Sequence, residues 1–125
     1  VGETSDAYHA TAPDPEGNGA EAAMRAALAD AGLSPSDVGY VNLHGTGTQA
    51  NDAMEMLAVE RVFDCGVEVE STKALTGHCL GAAGAIEAAL CWLLLKTGRV
   101  KGAAMSNSFA FGGSNASGVL AVEGT

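Results

Sequence analysis

Two histidines and a lysine hold most of the chemistry legible in this chain. His44 ends the apolar run Val38–Leu43 (VGYVNL) and opens a glycine- and threonine-rich stretch, His44-Gly45-Thr46-Gly47-Thr48. Lys73 and His78 stand five residues apart, with Thr76 and Gly77 between them. A neutral imidazole donates through one nitrogen and accepts through the other, which suits it to proton transfer or to holding developing negative charge. An ammonium close to an imidazole opposes its protonation, so Lys73 is expected to keep His78 neutral. The plainer alternative is a surface lysine and a histidine that caps a helix. Thr46 and Thr48 alternate, so their hydroxyls are expected on one side, facing a ligand amide or simply capping a turn.

Other chemistries find less support. The GTG of the first loop has no third glycine at dinucleotide-binding spacing, and GHCLGAAG lacks the terminal Gly-Lys-Ser/Thr of a phosphate-binding loop. His44, His78 and Cys79 lack the paired spacing of a zinc site. Cys79 beside His78 is no natural nucleophile–base pair, since adjacent side chains diverge and such pairs assemble from distant sequence. Cys65, Cys79 and Cys91 therefore read as structural. Their odd number, without CxxC spacing, argues against a disulfide framework and for a reducing, cytoplasmic setting.

Alternating helices and strands are needed to place these residues. Ala22, Ala23, Ala26, Ala27 and Leu28 recur at helical spacing within Gly19–Ala31, and Gly32 stands where a left-handed cap belongs. Residues 1–18 read as an entering loop. Ser34-Pro35-Ser36-Asp37 is a capped turn. A second helix is expected to start at Asn51 or Asp52, with Met54, Leu57, Ala58, Val62 and Phe63 as its apolar stripe. Val67–Val69 is a short strand delivering Ser71-Thr72-Lys73. A long helix follows, about Ala82–Lys96, closed by Gly98. The glycines at 77, 81 and 84 are expected to allow close backbone approach at its start. Ala103–Ser106 and Val119–Val122 are strands flanking the loop Phe109-Ala110-Phe111-Gly112-Gly113. Such alternation indicates an α/β layer structure, in which ligands gather at the carboxyl ends of strands. Three glycine-bearing loops leave strand ends, around His44, Lys73–His78 and Phe109–Gly113. That convergence is the main functional clue.

The composition bounds the answer. The chain has 125 residues, 17 of them glycine, with 15 acidic side chains against 6 basic ones and a net charge of −9. The length suits one domain, residues 1–125, and the apolar fraction of 47% excludes disorder as its main state. So acidic a chain lacks the Lys/Arg surface that neutralises phosphates, which argues against a nucleic-acid binder. The longest apolar run, Ala88–Leu95, is far short of the ~18 residues of a membrane span. No secretory leader opens the chain. It begins at Val1 without an initiator methionine, as a piece of a longer polypeptide would.

Taken together, VNLHGTGTQANDAMEMLAVERVF (41–63), STKALTGHCLGAAGAIEAAL (71–90) and SNSFAFGGSNASGVL (106–120) closely resemble the C-terminal half of the β-ketoacyl-acyl-carrier-protein synthases, the condensing enzymes. The opening SDAYHATAPDPEGNG is similar to the segment that leads into that half. The resemblance implies a thiolase-like α/β fold whose C-terminal half is a mixed β-sheet flanked by α-helices. It implies decarboxylative Claisen condensation of malonyl-carrier protein with an acyl thioester, in fatty-acid or related biosynthesis. By the same resemblance His44 and His78 are the two histidines of a Cys-His-His constellation, and Lys73 is its lysine. Thr46 and Thr48 match threonines that bond the phosphopantetheine arm. Phe109 and Phe111 match the gate of the acyl pocket, with the Phe111 N–H in an oxyanion hole.

Asn42, Glu87, Ser106 and Asn107 resemble a group that holds a structural monovalent cation in some members. Glu87 reads equally as a buried carboxylate near the lysine. No other cofactor is implied, since phosphopantetheine arrives on the carrier protein. The implied partners are an acyl carrier protein, the N-terminal half of the same synthase, and a second subunit in a homodimer or synthase heterodimer.

Two departures stand against the family pattern. The half bearing the nucleophilic cysteine is absent, and a segment of some tens of residues is missing between Val100 and Lys101. By itself the chain is expected to be inactive. A non-catalytic partner subunit of the chain-length-factor type, or a purely structural domain, are the alternatives. Wide separation of His44, Lys73 and His78 in the fold would favour the last.

Overall fold

The fold was obtained as a computed structural model, which describes residues 1–9, 12–64, 66–109 and 113–122. Its elements run β1 (Gly2–Ser5), α1 (Asn18–Ala31), a 3-10 turn (Pro35–Asp37), β2 (Val38–Asn42), α2 (Gln49–Val62), β3 (Glu68–Glu70), α3 (Lys73–Thr76), a second 3-10 turn (Leu80–Ala82), α4 (Ala83–Lys96), β4 (Ala103–Phe109) and β5 (Ser114–Leu120). Among the described residues five strands form one sheet in the order β1-β5-β4-β2-β3. β2 pairs in parallel with β3 and β4, whereas β4–β5 and β5–β1 are antiparallel. The sheet is therefore mixed, as expected.

Alternation along the strands sends side chains to opposite faces, and each face is covered by helix. Val41 and Met105 join Met24 and Leu28 of α1 and Met54, Val59 and Val62 of α2 in the larger core. Tyr40 and Ala104 face the other way and pack with Cys91 and Leu95 of α4. Burying each large apolar side chain contributes about 1.5–3 kcal/mol, so both layers are held mainly by these residues.

Local sequence explains most element ends. Gly32 caps α1 at φ 69°, its N–H returning to the helix carbonyls. Ser34 and Asp37 form a reciprocal capping box around the first 3-10 turn. α2 begins earlier than Asn51 or Asp52, because Thr48 is extended and its hydroxyl accepts from the Asn51 N–H. Segment 1–18 is not all loop: Gly2–Ser5 pairs with β5 as an edge strand. The sheet's other edge is β3, three residues with Glu68 and Glu70 both exposed. Of the three glycines expected to allow close approach, only Gly84 does so. A Cβ there would stand 3.3 Å from Ser108 Oγ, while Gly77 and Gly81 meet nothing within 4 Å.

Candidate active site

β2 ends at Asn42 and delivers His44 into a loop whose backbone is held from several sides. Gly45 has φ 42°, and a Cβ on it would collide with Ser71, whose hydroxyl donates to the Gly45 carbonyl at 2.8 Å. Glu55 reaches back from α2, its carboxylate accepting from the His44 N–H at 2.8 Å and the Gly45 N–H at 2.9 Å. Asn51 and Asn107 donate to the same carboxylate. Burial pushes the Glu55 carboxyl above its ordinary value, against these four donors, which favour the charged form. The sequence reading missed this residue. Its signal was present: Asn51, Glu55, Ala58 and Val62 share a helical spacing, and all four are buried.

Lys73, the first residue of α3, is buried and bonds to the backbone of His44. Its ammonium lies 2.5 Å from the His44 carbonyl oxygen and 2.5 and 3.1 Å from the two carboxylate oxygens of Glu87 on α4. No hydrogen bond joins it to His78 among the described residues. The lysine's donors are taken up by an ion pair with Glu87 and by the backbone of the first histidine.

The rings of His44 and His78 meet edge-on, with centroids 5.6 Å apart and planes at 87°. Burial, then the Lys73 charge, then His78 bring the pKa of His44 down to about 4, opposed by Asp52. The imidazole is therefore neutral at pH 7. Neither of its ring nitrogens is bonded within the described residues. His78 Nδ1 accepts the Leu80 N–H at 3.2 Å, which puts the proton of the neutral ring on Nε2. Leu80 holds that geometry at φ 50°, a conformation leucine rarely takes.

Phe109, at the end of β4, lies against His44 with ring centroids 5.7 Å apart. Phe111 falls outside the described residues. Thr46 Oγ1 and Thr48 Oγ1 are 2.9 Å apart, and Thr48 also caps α2. His44, His78, Thr46, Thr48 and Phe109 line one cleft of about 1160 Å³. Lys73 lies outside it, in the wall of a smaller pocket that it shares with Thr46 and His78.

The cation group does not assemble. Asn42 and Ser106 are register neighbours, both directed toward α4, and Asn42 Oδ1 is the one buried side-chain oxygen among the described residues without a partner. Asn107 points to the opposite face, and Lys73 neutralises Glu87. These four side chains do not surround a common point, so a monovalent cation does not fit them as a set. Glu87 is instead the buried partner of the lysine. Of the cysteines, Cys91 is buried, its thiol pushed up to about 11 mainly by burial, and Cys79 is exposed. Cys65 lies outside the described residues. Among the described residues no helix is long and apolar enough to cross a membrane.

Residues 1–105 match the family described as "Beta-ketoacyl synthase, C-terminal domain". The 3-oxoacyl-[acyl-carrier-protein] synthase 2 of Staphylococcus aureus (strain COL) is 42% identical over 144 residues, taking in 92% of this chain and 35% of that protein. Nodulation protein E of Rhizobium meliloti is 41% identical over 145 residues, 93% of this chain and 36% of its own length. The chain thus spans about a third of these curated relatives. A chain in the structure of a ketosynthase (ApeO) in complex with its chain length factor (ApeC) from Xenorhabdus doucetiae superposes with a TM-score of 0.90. It is 47% identical and covers 97% of this chain and 37% of its own. A β-ketoacyl synthase from Burkholderia phymatum STM815 superposes with a TM-score of 0.86 at 33% identity, over 94% of this chain and 35% of its own.

Proposed function

Because the chain belongs to the β-ketoacyl synthase family, as its C-terminal domain, we propose that the polypeptide carrying it condenses malonyl-carrier protein with an acyl thioester. In this reading another part of the synthase supplies the nucleophilic cysteine, and residues 1–125 supply the decarboxylating histidines. The bond from the malonyl methylene carbon to its carboxylate breaks, CO2 leaves, and the electron pair passes into the thioester as an enolate. That carbon then attacks the enzyme-bound acyl carbonyl. The new C–C bond forms as the cysteine thiolate departs.

The observation that carries this reading is the perpendicular His44–His78 pair at 5.6 Å in one cleft. Two neutral imidazoles can aim N–H donors at a single oxygen, and an oxyanion donor of this kind contributes about 3 kcal/mol to the transition state. The Leu80 N–H fixes the tautomer of His78, and burial with Lys73 keeps His44 uncharged. Thr46 and Thr48, on the same cleft, hold the phosphopantetheine arm, and Phe109 forms part of the acyl gate. The chemistry needs no cofactor beyond that arm.

The partners are an acyl carrier protein and a second synthase-fold subunit, either a further copy or a chain length factor as in the Xenorhabdus complex. The setting is cytoplasmic. The aligned stretches of 144 and 145 residues take in only 92% and 93% of the chain's 125, so the relatives carry extra residues within them, and we place these between Val100 and Lys101. A cysteine at the nucleophile position of the upstream half would distinguish the catalytic subunit from a chain-length-factor role.

The test is malonyl-carrier-protein decarboxylation by the complete polypeptide and its His44→Ala and His78→Ala variants. Each substitution is expected to lower the rate by about 10²–10³-fold. Full activity in both would sink the mechanism.

A further inference from the structure

Asn107 and Ser117 lie far from His44 in sequence, and neither touches the cleft's reactive side chains. They are register partners across the β4–β5 ladder, so their side chains project from one face of the sheet. Both are completely buried. The Ser117 hydroxyl donates to Asn107 Oδ1 at 2.7 Å, and Asn107 Nδ2 donates to Glu55 Oε2 at 3.3 Å. That same carboxylate oxygen accepts the backbone N–H of His44. An unbroken buried chain therefore runs from Ser117 through Asn107 and Glu55 to the backbone of a histidine on another loop.

We infer that Asn107 and Ser117 are positioning residues for His44, acting through Glu55, and that they tie the β4–β5 hairpin to the His44 loop as one mechanical unit. The argument turns on the two ends of a carboxamide. Asn107 can stabilise the Glu55 carboxylate only with its NH2 group turned toward it, since the carbonyl oxygen would be repelled. The carboxylate selects that orientation, and Ser117 reinforces it by donating to the oxygen end. Without the hydroxyl the Asn107 carbonyl oxygen stays buried without that donor, the amide is held less firmly, and its bond to Glu55 weakens in a place that water does not reach. A buried acceptor so weakened shifts or takes up a proton, and the His44 and Gly45 N–H groups lose their fixed partner.

The hairpin also bears Phe109 two residues beyond Asn107, on the same face of β4 and against the His44 ring. It thus holds this histidine at two points: the ring through Phe109 and the backbone through Asn107 and Glu55. A strand that only packed against the loop would need neither buried carboxamide nor hydroxyl.

The consequence for catalysis rests on the condensing-enzyme reading above, but the coupling itself does not. The experiment uses the complete polypeptide with Ser117→Ala and, separately, Asn107→Ala, and follows amide hydrogen exchange. The Ser117 variant removes one oxygen atom and keeps the test usable if the Asn107 variant does not fold. Exchange at His44 and Gly45 is expected to rise about tenfold or more, while that of Cys91–Leu95 in α4, on the sheet's opposite face, stays unchanged. Malonyl decarboxylation should lose kcat several-fold at constant KM. Unchanged exchange at His44 and Gly45, or an equal rise in α4, would overturn the inference. Altered exchange at His44 in a protein whose parent form decarboxylates nothing would uphold the coupling and refute the functional reading instead.

Discussion

Lys73 is bonded to the carbonyl oxygen of His44, not to the ring of either histidine. The lysine thus acts on the site in two ways: its ammonium fixes the backbone from which His44 projects, and its charge disfavours protonation of that ring. Glu87 is what allows a buried ammonium to stay there.

Breaking this pair from one side should cost far more than removing it whole. Lys73→Met leaves the Glu87 carboxylate buried without a counter-charge, and stability is expected to fall by about 3–5 kcal/mol. The double variant Lys73→Met/Glu87→Leu replaces two charges with apolar groups and should recover most of that loss. Decarboxylation should stay low in both, because the His44 carbonyl has lost its donor. Thermal unfolding and a decarboxylation assay on the same preparations check both statements.

Acid sensitivity should be partly traceable to His44. Its pKa is about 4 in the folded chain against 6.5 for the free side chain. Between those values the unfolded chain binds a proton that the folded chain refuses. The contribution is fully present above pH 6.5 and is lost as pH falls toward 4, amounting to as much as about 3 kcal/mol. Glu55, raised by burial, works in the opposite direction as pH rises past 4.5. The comparison is therefore between the parent protein and His44→Gln, which share Glu55. Urea unfolding at pH 7 and pH 5 should show a smaller loss in the variant. An identical loss in both would contradict the assignment.

Thr46 and Thr48 should separate under substitution although their hydroxyls touch. Only Thr48 caps α2, so Thr48→Ala is expected to cost about 1 kcal/mol and Thr48→Ser almost nothing. Thr46→Ala should leave stability unchanged. If both hydroxyls hold the pantetheine arm, each alanine variant raises KM for the carrier-bound substrate. Melting curves beside steady-state kinetics distinguish the cap from the contact.

Much of this site is legible in the sequence. The three glycine-bearing loops announced where strands end, and Gly32 and the Ser34–Asp37 turn marked their element boundaries correctly. What escaped depended on partners distant in sequence. Gly2–Ser5 has no apolar alternation and becomes a strand only because β5 offers it a ladder. Glu55 was hidden because a carboxylate in an amphipathic helix is expected to face water. Here it serves two backbone N–H groups that only the folded loop presents. Leu57, placed in the apolar stripe by periodicity, points outward instead. The bond from Lys73 to the His44 backbone joins residues 29 apart and could not be read from the nearer histidine in sequence.

The acid excess also has a use at the rim of the sheet. β3 ends the strand order with only three residues, and its Glu68 and Glu70 both stand in water. A strand so short and so charged offers a neighbouring molecule few free backbone groups and a repulsive row of carboxylates. Among the described residues, the sheet edge nearest the Lys73 segment is thus ill suited to pairing with a further strand, and the carboxylates that make it so are among those that make the chain acidic.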